Sequence, residues 1–254
     1  MASSSNPPNR PDGRTGAGSL RPLSAEVSCL NRADGSSKFS SGLSQILAAV
    51  YGPASPRIPS KERSDKAMIG VVFKFGTKAN IASDNTSNAH PSYGANEREL
   101  ERFIGDALMH CIAVDQYPRT VIEVVIQVLK ADGSLVSNSL NGALLALMDA
   151  GIQMKSLSIA TTCLVPINGD IINNPIRFDP TAEEESMDDY SVIVVATDTV
   201  KEGIVTSMTF GSFQLDSFLA CMEGALRASK AVSAFMRIAM EQKVKREART
   251  LWST

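Results

Sequence analysis

Four cysteines, two histidines and one tryptophan are all that the 254-residue chain has of those residue types. Cys29, Cys111, Cys163 and Cys221 lie far apart and form no C-x-x-C, and only His90 and His110 are there to help them. No zinc site is expected from so thin a set of ligands. Scattered cysteines without a disulfide framework fit a reducing compartment. Excess charge is also missing: the formal net charge is −2, so the chain does not coat nucleic acid by bulk attraction, and any such contact must be local. No apolar run approaches the ~18 to 20 residues of a membrane-spanning helix. The Ser-, Pro-, Asn- and Gly-rich opening, Met1 to Arg21, has no apolar stretch of the kind a secretory leader needs, and no leader is expected there.

What remains is enough for a sizeable core, with 43% hydrophobic residues. Residues 1–19 read as a disordered tail, solvated rather than an RNA-binding arm. Order is expected from Leu20, where "RPLSAEVSCL" alternates apolar and polar residues. "KFSSGLSQILAAVYGP" follows the Asp34-Gly35 turn as a hairpin return, and "AMIGVVFKF" is a further strand. From Gly76 to Asn96 the chain is a polar loop. The period then changes: Leu100, Phe103, Ile104, Ala107, Leu108 and Cys111 are spaced for a helix. "TVIEVVIQVLKADG" reads as a strand buried on both faces, and "SNSLNGALLALMDAG" as a helix closed by Gly151. Strands over "LSIATTCLVP", "YSVIVVATDT" and "EGIVTSMTFGSF" precede a helix from Leu215 to Arg246, with Phe218, Cys221, Met222, Leu226, Val232, Phe235, Ile238 and Ala239 as its apolar stripe. The reading is an α+β (mixed α/β) domain over residues 20–246, central sheet with flanking helices, and a short tail over 247–254.

Composition and period do not name a function. Several ordered motifs do: "PDGR" at Pro11–Arg14, "LRPLSAE" at Leu20–Glu26, "LAAVYGP" at Leu47–Pro53, "YPRTVIEVVIQVLKADGS" at Tyr117–Ser134, "LNGALLALMDAGI" at Leu140–Ile152 and "DPTAEEE" at Asp179–Glu185. In this order and spacing they resemble the RNase PH family from about residue 11 to residue 240. "GIVTSMTFGSFQLDSF" and "ALRASKAVSAFMR" resemble the plant-type ring subunits of the RNA exosome within it. The resemblance implies an RNase PH-like fold and phosphate attack on the 3′ end of RNA, which needs cations to hold two adjacent anionic groups.

Family enzymes place a Gly-Thr-Arg after the long strand and an arginine before the earlier helix. At the corresponding positions this chain has Ser134-Leu135-Val136 and Asn96. Ser134 retains a hydroxyl, but Val136 is apolar, and Arg98 lies two positions beyond Asn96, about 200° around a helix. Loss of one preorganised donor typically costs ~10²- to 10³-fold in rate, so phosphorolysis is not expected here. The family's paired carboxylates align with Glu183 and Asp189, six residues apart. They read either as a magnesium site or, preferably, as part of a solvated acidic loop. Lys61, Arg63, Lys66, Lys74 and Lys78, with Arg57, are candidate RNA phosphate contacts, each also readable as ordinary surface charge. The run Lys243, Lys245, Arg246 and Arg249 fits cations at a helix C-terminus.

The expected function is therefore a non-catalytic RNase PH-like ring subunit that supports 3′-5′ RNA processing and decay, without a cofactor. Implied partners are other RNase PH-like ring subunits, S1/KH-type cap subunits and single-stranded RNA. The implied locations are nucleus, nucleolus and cytoplasm, and a homodimer is possible when the chain is alone. Two rivals are an active phosphorolytic or metal-dependent ribonuclease using Ser134, Glu183 and Asp189, and a homo-oligomeric nucleic-acid-binding protein outside the exosome.

Overall fold

The computed structural model describes residues 10–56, 62–75, 97–169 and 174–252. Its architecture is α+β, with two sheets separated by a buried helix. The first sheet has the order β1-β2-β3-β5-β4, built from β1 (Leu23–Val27), β2 (Gly35–Ser41), β3 (Ser44–Ala54), β4 (Met68–Phe75) and β5 (Val121–Lys130). All neighbours are antiparallel except β4 and β5, which run parallel. A parallel pair needs a crossover, and α1 (Glu97–Cys111) lies in that connection. Register brings Phe39 opposite Ile46, Ala48 opposite Ile126 and Phe73 opposite Ile126, so one face of the sheet is continuous apolar core.

The segment expected as one hairpin return is thus two strands, β2 and β3, turning at Gly42-Leu43. A second correction concerns β5. Ile122, Val124, Ile126 and Val128 are buried, but Glu123 and Gln127 are exposed and Val121 and Val125 only half-buried. The strand alternates, with one face in the core and the other open. Its unbroken valine-isoleucine run hid that period.

The second sheet, of order β7-β6-β8-β9, is antiparallel and comprises β6 (Ser158–Pro166), β7 (Arg177–Phe178), β8 (Tyr190–Asp198) and β9 (Ile204–Phe210). Every residue of β6 is buried. In β8, Val194 and Ala196 join the main core, whereas Ile193 and Val195 meet Cys221, Met222 and Ala225 of α4 (Leu215–Trp252) in a smaller one. Cys111, Cys163 and Cys221 are buried free thiols, and burial pushes Cys111 up to about 12. The last helix runs to Trp252, so residues 247–252 extend it rather than forming a tail. Ile238, expected in its apolar stripe, is exposed, and Met236 takes the buried place.

Between the sheets lies α2 (Leu135–Asp149), packed on β2, β3 and β6. All its residues from Leu135 to Leu147 are buried, the mark of a helix enclosed on every side. Gly35 permits a close approach to it, since a Cβ there would collide with the Ala146 carbonyl and the Ala150 backbone. At its C-terminus Lys243 of α4 pairs with Asp149, which also accepts from Ser28 Oγ and Ser36 N. Among the described residues no helix is long and apolar enough to cross a membrane.

Candidate functional site

The chain leaves β5 at Lys130 and turns through Asp132-Gly133-Ser134 into α2. Gly133 (φ +71°) and Ser134 (φ +51°) are both left-handed. Gly133 has no substitute here, because a Cβ would strike the Pro180 carbonyl and the Thr181–Ala182 backbone. Ser134 is fully buried: its N–H donates to Glu185 Oε1 at 2.7 Å and its hydroxyl to the Pro180 carbonyl at 3.0 Å. Its hydroxyl is thus committed to the fold. Leu135 and Val136 are 2% and 0% exposed and lie in the main core. The place where the resemblance puts a phosphate-binding cation is sealed by an apolar side chain. Asn96, the other degenerate position, lies outside the described residues. Arg98 is exposed on the first turn of α1.

The acidic stretch behaves differently from the solvated loop expected of it. Asp179, Glu184 and Glu185 are buried, while Glu183, Asp188 and Asp189 are exposed. Thr181 and Glu184 form a capping box on the short α3 (Ala182–Glu185), fixing which glutamates face inward. Glu184 receives both arms of Arg10, Nε to Oε1 at 2.9 Å and Nη2 to Oε2 at 2.7 Å, with Arg177 at 3.3 Å and Arg14 at 3.7 Å. Arg177 also stacks on Tyr190, 4.9 Å from the ring centroid. Asp179 takes the backbone N–H and Nη2 of Arg21 at 3.0 and 2.6 Å and the Ser41 hydroxyl at 2.8 Å. Burial pushes both carboxyls up, but Arg10 on Glu184 and Arg21 on Asp179 outweigh it, and both stay below their ordinary values.

This lattice corrects the expected disordered tail over residues 10–19. Arg10 is 4% exposed, and its Nη1 and Nη2 also donate to the carbonyls of Phe178 and Asp179. Arg14 donates to the carbonyls of Ser19 and Asp179. The segment is strapped against the second sheet by charge-assisted bonds rather than by apolar burial. Sequence reasoning missed these arginines as structural. The available signal was the excess of arginine in a short Pro-Gly-rich stretch, which a solvated leader does not need.

Glu183 and Asp189 are not drawn into this lattice. Among the described residues, no three His, Cys, Asp or Glu side chains gather as metal ligands. Of the candidate RNA contacts, Arg63 is exposed, Lys66 half-buried, and Lys74 exposed but paired with Glu97 at 3.0 Å. Lys61, Lys78 and Arg57 lie outside the described residues. Lys243, read with the terminal basic run, belongs instead to the Asp149 junction.

With this geometry in hand, the chain can be set beside known proteins. Residues 19–153 match the model of the 3′ exoribonuclease family, domain 1 (RNase PH). Over 249 residues the chain is 32% identical to the Arabidopsis thaliana protein named exosome complex exonuclease RRP46 homolog, covering 92% of this chain and 96% of that one. It is 32% identical over 224 residues to the exosome complex component Rrp41 of Thermococcus kodakarensis, covering 88% and 85%. The crystal structure of rice Rrp46 superposes with a TM-score of 0.74 at 31% identity, over 90% of this chain and 98% of that one. An Archaeoglobus fulgidus exosome chain, solved with RNA bound to the active site, shares the fold with a TM-score of 0.71 at 20% identity, over 89% and 92%.

Proposed function

The chain belongs to the RNase PH family of 3′ exoribonucleases, and on that premise we propose that it is a structural ring subunit of an RNA exosome, without phosphorolytic activity of its own. Support for the assembly comes from its relatives, which carry the names of exosome components over nearly its whole length. Other RNase PH-like subunits would be its ring neighbours, S1/KH-type subunits would cap the ring, and single-stranded RNA would pass through it. Such a subunit would work in the nucleus, nucleolus and cytoplasm.

One observation carries the non-catalytic part. Val136, which the motif resemblance aligns with a phosphate-binding arginine, is wholly buried, so that place is filled by core rather than by a cation. Ser134, the hydroxyl left beside it, already donates to Pro180. A phosphate attacking the terminal RNA linkage would meet no guanidinium from this turn. Among the described residues, no three acidic, imidazole or thiol side chains gather around the exposed Glu183 or Asp189 as metal ligands.

The test is an end-labelled single-stranded RNA incubated with the purified chain. No nucleoside diphosphate release is expected at millimolar phosphate, and no trimming with magnesium alone. Phosphate-dependent release would overturn the reading. Magnesium-dependent hydrolysis lost on Asp189→Asn would instead establish the ribonuclease alternative. Affinity purification of the endogenous complex tests assembly separately, with ring and cap subunits expected to co-purify.

A further inference from the structure

Where α2, β6, α4 and the N-terminal strand converge lies a small chamber, partly open to the surface beside the half-buried Leu20 and Leu23. Its apolar walls are Leu20, Leu23 and Val232, and its polar ones include Asn138, Thr161 and Asp179. Most polar groups around it are satisfied within the protein. Ser137 Oγ bonds to the Ser134 carbonyl and the Thr162 hydroxyl, both at 2.9 Å. Asn141 exchanges two hydrogen bonds with the backbone of Ala160, at 3.0 and 3.1 Å. Two groups are left over. Asn138 Nδ2 and Thr161 Oγ1 have no hydrogen-bond partner in the protein, although both residues are only 4% exposed. An unpaired buried polar atom costs about 1 to 3 kcal/mol, and two lining one chamber call for a common partner.

We infer that the chamber binds one structural water, which joins Asn138 of α2 to Thr161 of β6. Three observations converge on this ligand. The space open to the centre of a water-sized sphere is about 20 Å³, and one water needs roughly 10 to 15 Å³ on that measure. The amide nitrogen offers only N–H donors and so opposes a cation, whereas the Asp179 carboxylate, also in the lining, opposes an anion. A hydroxyl that both donates and accepts, lining the same pocket as a pure donor, matches a molecule that does both. Asp179 supplies the third polar neighbour that a buried water ordinarily requires. The water adds a bridge between the central helix and the second sheet to the direct Ser137–Thr162 and Asn141–Ala160 bonds.

The experiment is a double-substitution cycle on the full chain, with a crystallographic map of the unsubstituted protein. If the water is shared, Thr161→Val removes one of its partners, and the melting temperature falls by about 2 to 4 °C, the shift corresponding to one lost hydrogen bond in a chain of this size. Asn138→Leu acts likewise. The two together cost less than their sum, because each single change strands the same water. A dry chamber gives the opposite sign: removing an unpaired buried hydroxyl raises the melting temperature, and the two effects add. Either result overturns the inference. Should a variant fail to fold, the map decides, with an ordered peak in hydrogen-bond reach of both groups expected and an empty chamber overturning the assignment.

Discussion

The chemistry of this chain turns on which of two adjacent glutamates faces inward. Glu184 is fully buried beneath three arginines, whereas Glu183 is exposed, a phase held by the capping box at Thr181 together with those arginines. Removing a carboxylate so placed leaves Arg10 and Arg177 buried without their anion, which typically costs about 3 to 5 kcal/mol. Glu184→Gln should therefore lower the urea midpoint sharply, while Glu183→Gln and Asp189→Asn should stay within about 0.5 kcal/mol of the parent. The sign with pH follows from the same contacts. Asp179 and Glu184 titrate below their ordinary values in the fold, so their stabilisation is present at neutral pH and disappears as pH falls through the folded values. Urea midpoints from pH 7 down to pH 3 should fall, and Glu184→Gln should flatten that fall. A midpoint indifferent to acid would contradict the assigned role. The resemblance aligns Ser134 and Val136 with family positions through the flanking Asp132-Gly133 and Leu140–Ala143, and Asn96 through the helix start that follows it. The inward lattice was not legible in the sequence. Arg10 meets a glutamate 174 positions away, and nothing local distinguishes an arginine that will be buried from one that stays wet.

At the level of elements, legibility followed periodicity. The spacing of apolar residues located α1 within its observed bounds, and α2 was visible because its apolar content and Gly151 stop are strong local signals. By contrast, β7 has two residues and α3 has four, too few for any period to show. In β5 the apolar outer positions Val121 and Val125 disguised an alternating strand. Its two faces make separate predictions. Val124→Asp buries a carboxylate opposite Val50 and Val71 and should abolish cooperative unfolding. Glu123→Gln, on the exposed face, should leave the thermal transition unchanged. The enclosure of α2 gives a further test. Val136→Arg, which formally restores the missing cation, places a guanidinium in the core and should destabilise by several kcal/mol. Circular dichroism should show the loss before any phosphate binding can be measured. A stable Val136→Arg that binds inorganic phosphate would mean that this turn still opens onto the substrate side.

For the molecule as a whole, the open face of the first sheet is the feature a ring subunit would use. Tyr51, Val72 and Leu129 are 39%, 38% and 38% exposed, and Val125 lies opposite Val72 on the same face. These apolar side chains share the face with exposed Glu123, Gln127 and Lys74, and apolar groups left in water within a polar surround favour association. If this face packs against a neighbouring subunit, the lone chain should self-associate, and an RNase PH-like partner should convert it to a heterodimer. Val125→Asp separates folding from assembly, because the half-buried side chain leaves its carboxylate a route to water. Its melting curve should remain cooperative, while light scattering should show a smaller species that no longer captures the partner. Truncation supplies the complementary control. Deleting residues 1–9 should change neither property, whereas deleting through Arg14 removes two cations from Glu184 and should lower stability without altering the open face. A Val125→Asp chain that assembles as before would move the interface elsewhere, to the exposed Leu215 and Leu219 at the start of α4. The same scattering experiment on Leu219→Asp would then distinguish a displaced interface from a chain that does not assemble through its apolar surfaces at all.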